Sequence, residues 1–127
     1  MVYASHVFSK RCFSIWKIKT IEIVILIFML LDKEHIVTIL KNHKPELTSE
    51  MGIKRIALFG SYARNTQTLE SDIDLLIEQN AINYQKLVKT LLFIEEKFPG
   101  TKIQLTRKGP HLSDRFLKAI EKDLIYV

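Results

Sequence analysis

A chain of 127 residues supports one compact core and leaves little room for a second. Its 47% hydrophobic and 26% charged content, with four Gly and three Pro, excludes collagen-like, low-complexity and intrinsically disordered classes. The single Cys12 closes no internal disulfide, and no His/Cys cluster has zinc-ligand spacing, so a reducing, cytoplasmic setting is expected.

A net charge of +5 would suit nucleic acid or an anionic membrane, but its distribution argues against both. Residues 1 to 28 carry Lys10, Arg11, Lys17 and Lys19 against Glu22, a net +3, which leaves +2 for the rest of the chain. That remainder has no Lys/Arg stripe with interleaved aromatics, so no direct nucleic-acid binding is predicted.

In chain order, residues 1–28 read as an extension that precedes a domain over 29–127. The apolar run Ile23 to Leu31 is too short to span a membrane, which takes about 20 apolar residues, and Glu22, Lys19 and Lys17 block its extension backwards. It also lacks the short basic start and small-residue cleavage site of a secretory signal. The run is expected either to pack on the core as a first helix or strand, or to lie upstream of a domain that starts near Met29.

Asp32 is a suitable N-cap for a helix with Ile36, Ile39 and Leu40 on one face, closed by His43, Lys44 and Pro45. A helical turn over 45–51 ends at Gly52, and residues 53–59 (IKRIALF) form a buried strand that stops at Gly60-Ser61. A second strand runs over 73–77. Asn83 caps a long helix whose Leu87, Leu91, Leu92, Ile94 and Phe98 form the predicted buried stripe, stopped by Pro99-Gly100. Residues 102–106 make a third strand, and a last helix over 113–122 buries Phe116, Leu117 and Ile120. Residues 124–127 form a short apolar tail that pairs or packs.

The chemistry concentrates in Gly60 to Asp74, GSYARNTQTLESDID. Gly60 permits a sharp turn and close approach of the backbone, while Ser61 and the free N–H groups after it offer donors to a phosphate. Arg64, one helical turn on from Ser61, adds a fixed positive charge toward that phosphate or pairs with a nearby carboxylate. Asp72 and Asp74 are two positions apart, so on a strand both carboxylates share one face while Ile73, Leu75 and Ile77 enter the core. Two adjacent carboxylates repel unless a cation neutralises them, and hard oxygen donors suit Mg²⁺ completed by waters and phosphates. A phosphate cradle facing such a pair is the equipment of phosphoryl or nucleotidyl transfer, in which two ions can serve.

Gly60-Ser61, ten residues, then Asp72-Ile73-Asp74 resembles the GSx10DxD signature of the DNA-polymerase-beta-like nucleotidyltransferases. The fuller string FGSYAR...SDIDLLIE is similar to the minimal nucleotidyltransferase (MNT) family, over about 29–127. The resemblance implies an α+β fold with a small mixed β-sheet flanked by helices, ATP bound with Mg²⁺, and transfer of AMP to a hydroxyl. It also implies an antitoxin role in a hetero-oligomer with a HEPN-type toxin partner, the acceptor being a tyrosine. Carried over by position, Gly60, Ser61 and Arg64 bind the nucleotide, and Asp72 and Asp74 hold the metal.

The family pattern places a third carboxylate on the following strand, where this chain reads Ile103-Gln104-Leu105-Thr106. The matching position is Gln104, whose neutral amide cannot take a proton and ligates metal more weakly than a carboxylate. A second reading follows: a degenerate subunit that keeps the fold and neutralises its partner by complex formation alone. Lys102, Arg107 and Lys108 around the same strand read as a basic edge that discourages further strand pairing. His35, His43 and His111 lack ligand spacing and read as surface or capping residues, and Tyr62 and Tyr84 as packing residues.

Overall fold

The computed structural model describes residues 31–80 and 83–127, so Cys12 and nearly all of the Ile23 to Leu31 run lie outside the described residues. The elements are α1 (Lys33–Asn42), α2 (Lys44–Ser49), β1 (Ile53–Phe59), α3 (Gly60–Arg64), β2 (Ile73–Gln79), α4 (Tyr84–Lys97), β3 (Ile103–Arg107), α5 (Asp114–Glu121) and β4 (Ile125–Tyr126). Among the described residues, no helix is long and apolar enough to cross a membrane.

The helix starts follow local chemistry. Asp32, Asn83 and Ser113 adopt extended backbone, and each side chain accepts from an N–H of the first turn: His35 at 2.9 Å, Gln85 at 2.9 Å and Phe116 at 3.1 Å. Pro45 sits in the first turn of α2, where its missing N–H costs nothing, and His43 joins α1 to α2 with its ring edge against Phe93.

The strands form one mixed sheet in the order β3-β2-β1-β4. β1 is antiparallel to β2 and to β4, and β2 is parallel to β3, with α4 as the crossover between them. The tail expected to pair or pack does pair: Ala57 faces Tyr126 and Leu58 faces Ile125. β2 runs two residues further than its apolar core suggests, because Glu78 and Gln79 stay in register with Arg55 and Ile53 across a bulge.

Strand alternation gives the sheet two different faces. One carries Ile56, Leu58, Ile73, Leu75, Ile77 and Ile103, all buried, and receives the buried Ile36, Leu40, Leu47, Met51, Ile94 and Phe98 of the helical layer. A polar link fixes α4 there: Gln79 Nε2 donates to the Met51 carbonyl at 2.8 Å and to Thr90 Oγ1 at 3.3 Å, and Thr90 Oγ1 donates to the Lys86 carbonyl. The other face carries Ala57, Phe59 and Leu76, covered by Ile120 with Leu112, Phe116 and Leu124. There the rings of Phe59 and Phe116 meet edge to face at 6.1 Å.

Of the predicted α4 stripe, Ile94 and Phe98 are buried, Leu87 and Leu91 are half-buried, and Leu92 is not part of it. Leu92 is 56% exposed, and Thr90 is buried in the layer with Ile94 and Phe98. Leu92 is two residues from both Thr90 and Ile94, about 200° around the helix from each, and so points away from the layer they enter. Tyr84, expected to pack, is also exposed. Leu75→Ala is expected to cost about 2 to 5 kcal/mol by leaving a cavity, whereas Leu92→Ala should stay within about 0.5 kcal/mol; chemical denaturation of the two variants checks the contrast.

Candidate active site

The site forms where β1 ends and β2 begins. β1 runs straight into Gly60, whose φ of +75° is left-handed and which opens the single-turn helix α3. Opposite this junction the register sets Phe59 against Asp74. The backbone at Gly60 lies so close to the Asp74 side chain that a Cβ built there would collide with Asp74 Oδ2 and stand 3.0 Å from Cγ. Glycine is therefore required twice, by its dihedral angle and by its neighbour. α3 closes at Asn65, itself at φ 58°, with the Thr66 N–H donating to the Ser61 carbonyl at 2.9 Å. Ser61 is half-buried on that turn, and Tyr62 behind it is buried.

The loop 65–72 is held by its own polar side chains. Thr68 N donates to Ser71 Oγ at 2.8 Å, and Glu70 N to Thr68 Oγ1 at 3.3 Å. It delivers Asp72 and Asp74 half-buried, on the face away from Ile73, Leu75 and Ile77. The two acids sense each other. Burial pushes the Asp74 carboxyl above its ordinary value, the Asp72 charge pushes it further the same way, and the Arg64 charge opposes both.

The parallel register sets Gln104 directly beside Asp74, on the same sheet face. Gln104 is exposed on the edge strand β3, so an amide stands next to the pair. Arg64 lies at the far end of α3, and its Nη1 donates to Asp123 Oδ2 at 3.0 Å. Of the two partners open to Arg64 in the sequence, a carboxylate is present, and it comes from the turn after α5. Motif spacing gave no sign of Asp123, which is 59 residues from Arg64. Nearby on the edge, Lys108 pairs with Glu78 at 2.9 Å, away from the aspartates' end of β2.

The donor set suits a hard divalent cation. Among the described residues, no group of three or more His, Cys, Asp or Glu side chains gathers as a full protein cage. Two carboxylates with open surroundings are instead what Mg²⁺ uses when waters and substrate phosphates complete its shell. A cation held there would offset the burial and the Asp72 charge that raise the Asp74 carboxyl.

The raised Asp74 value has a sign in pH. Because the fold favours the protonated Asp74, the stability it contributes is present below the ordinary value near 3.8 and is lost as pH rises through the raised folded value. Asp74→Asn should therefore melt above the wild type at neutral pH in chelator, and the difference should shrink on acidification. Added Mg²⁺ should raise the wild type and leave the variant behind; thermal unfolding over a pH series reads both effects.

Comparison with known proteins agrees with this geometry. The nucleotidyltransferase domain family matches residues 40–127. A Methanocaldococcus jannaschii protein named provisionally as a protein adenylyltransferase is 46% identical over 91 residues, covering 70% of this chain and 91% of its own length. The protein adenylyltransferase MntA of Thermococcus cleftensis is 31% identical over 103 residues, covering 77% and 98%. Among solved structures, a variant of the MntA–HpeT toxin–antitoxin superposes with a TM-score of 0.53 at 16% identity, over 76% of this chain and 72% of that one, and so supports the fold. With a strand-turn-strand site of this form inside the matched region, the chain belongs to the nucleotidyltransferase domain family, as one of its minimal, DNA-polymerase-beta-like members.

Proposed function

We propose that this chain transfers AMP from Mg-ATP to a hydroxyl of a protein partner, a tyrosine of a HEPN-type toxin, and so acts as an antitoxin in a hetero-oligomer. The observation that carries the reading is the approach of the Gly60 backbone to Asp74, beside Asp72 on one sheet face. It joins a turn able to admit phosphate to a carboxylate pair able to hold a cation. The names of the relatives, protein adenylyltransferases, support the reaction class, and the toxin–antitoxin neighbour supports the kind of partner.

In this reading Gly60 and Ser61 receive the triphosphate, and Arg64 faces its charge. Asp72 and Asp74 hold Mg²⁺, one ion or two, which when bound neutralises charge developing on the phosphate oxygens. The acceptor oxygen forms a bond to the α-phosphorus, the bond to the bridging oxygen breaks, and pyrophosphate leaves. The hydroxyl proton must go to a base or to water. Gln104 stands where it could orient the acceptor through its amide but cannot take that proton.

The same residue favours a second reading, a binding subunit with degenerate chemistry that neutralises its partner by covering it. Incubation with α-labelled ATP and a co-expressed partner separates the two. The transferase reading expects label on the partner, abolished in the Asp72→Asn/Asp74→Asn double variant. No label on a stably bound partner, with neutralisation intact in that variant, would move the assignment to the second reading. Gln104→Asp should raise the labelling rate by roughly 10² to 10⁴, the usual contribution of a general base; an unchanged rate would show that proton removal does not limit the reaction.

A further inference from the structure

The turn between α5 and β4 reaches the site through one side chain. Asp123 is only 13% exposed, whereas its partner Arg64 is 49% exposed. The turn is tied on both sides: Asp123 N donates to the Ile120 carbonyl at 2.9 Å, and just beyond it β4 pairs with β1 while Val127 N donates to the Ile56 carbonyl at 2.9 Å. The carboxylate is thus fixed by the fold, and the long arginine stem is the part that must be held. Among the described residues, no other side chain hydrogen-bonds Asp123.

Arg64 carries a fork of N–H donors, and the contact with Asp123 uses Nη1. Arg64 leaves the same single-turn helix as Ser61, three residues on, and that helix is opened by Gly60 against Asp74, so the guanidinium that meets the C-terminal turn is carried by the element that borders the aspartate pair. A freely rotating arginine would lose its stem entropy on meeting a phosphate, while one already gripped has lost it on folding. We propose that Asp123 is a positioning residue: it holds one edge of Arg64 so that the remaining donors face the phosphates of a nucleotide bound beside Asp72 and Asp74.

The proposal rests on the reading that this site takes a nucleoside triphosphate, and its test separates the two. Binding of Mg-ATP is measured by titration calorimetry for the wild type, Arg64→Ala, Asp123→Ala and the double variant, with thermal unfolding run on each. Asp123→Ala is expected to weaken binding about 3- to 10-fold in the wild-type background and to have no further effect once Arg64 is alanine. Asp123→Asn, which keeps an acceptor oxygen in the same place, should retain part of the affinity; it also stands in for the alanine variant should that one unfold. A merely structural Asp123 would lower the melting temperature and weaken binding equally in both backgrounds, which overturns the proposal. So does wild-type affinity in a folded Asp123→Ala or Asp123→Asn protein while Arg64→Ala binds weakly. Absence of Mg-ATP binding by the wild type sinks the nucleotide reading itself, and this proposal with it.

Discussion

The site depends on how closely a backbone can pass a carboxylate. Gly60 carries no Cβ because the Asp74 side chain occupies the space one would fill, and its left-handed φ turns the chain from the end of β1 into α3. That one approach sets where Ser61 and Arg64 emerge relative to the aspartates. It also ties the loop 65–72 to its landing point, since β2 must begin in register with Phe59 for Asp74 to reach the junction. A register slip of one residue would turn Asp72 and Asp74 into the helical layer and Ile73 outward.

The rest of the fold keeps that junction in place against a local cost. Burial and the Asp72 charge raise the Asp74 carboxyl above its ordinary value. The compensation lies on the opposite side of the same strand, where Ile73, Leu75 and Ile77 are fully buried under the helices. β2 thus buries one side under the helices and on the other carries Asp74 at the site end and the buried Leu76 beyond it. The α5 helix covers the second face only from Phe59 and Leu76 onward, so the carboxylate end is left half-open.

Much of this was legible in the sequence because it follows from short-range rules. Strand period places Asp72 and Asp74 together, and Gly60 after an apolar run marks the turn. Asp32 and Asn83 announce their helices as caps, and each is seen making its bond. Alternation also put Gln104 on the polar face, and the parallel register sets it beside Asp74. What escaped were choices made by tertiary packing. The phase of α4 was settled by Thr90, a polar residue accepted in the core because Lys86 and Gln79 satisfy its hydroxyl, and this turned Leu92 outward. The Arg64–Asp123 pair joins points 59 residues apart, and no local pattern encodes it.

Gln104 sits on β3, the rim of the sheet, exposed to solvent and linked to the core only through its neighbours Ile103 and Leu105. Residues at such a rim can be exchanged with little penalty to folding, whereas Gly60 and Ile73 cannot. The amide beside Asp74 can therefore be changed apart from the scaffold, whereas Gly60 belongs to both. A single substitution at this rim changes the donor or acceptor offered beside Asp74 and leaves the packing of the sheet as it is.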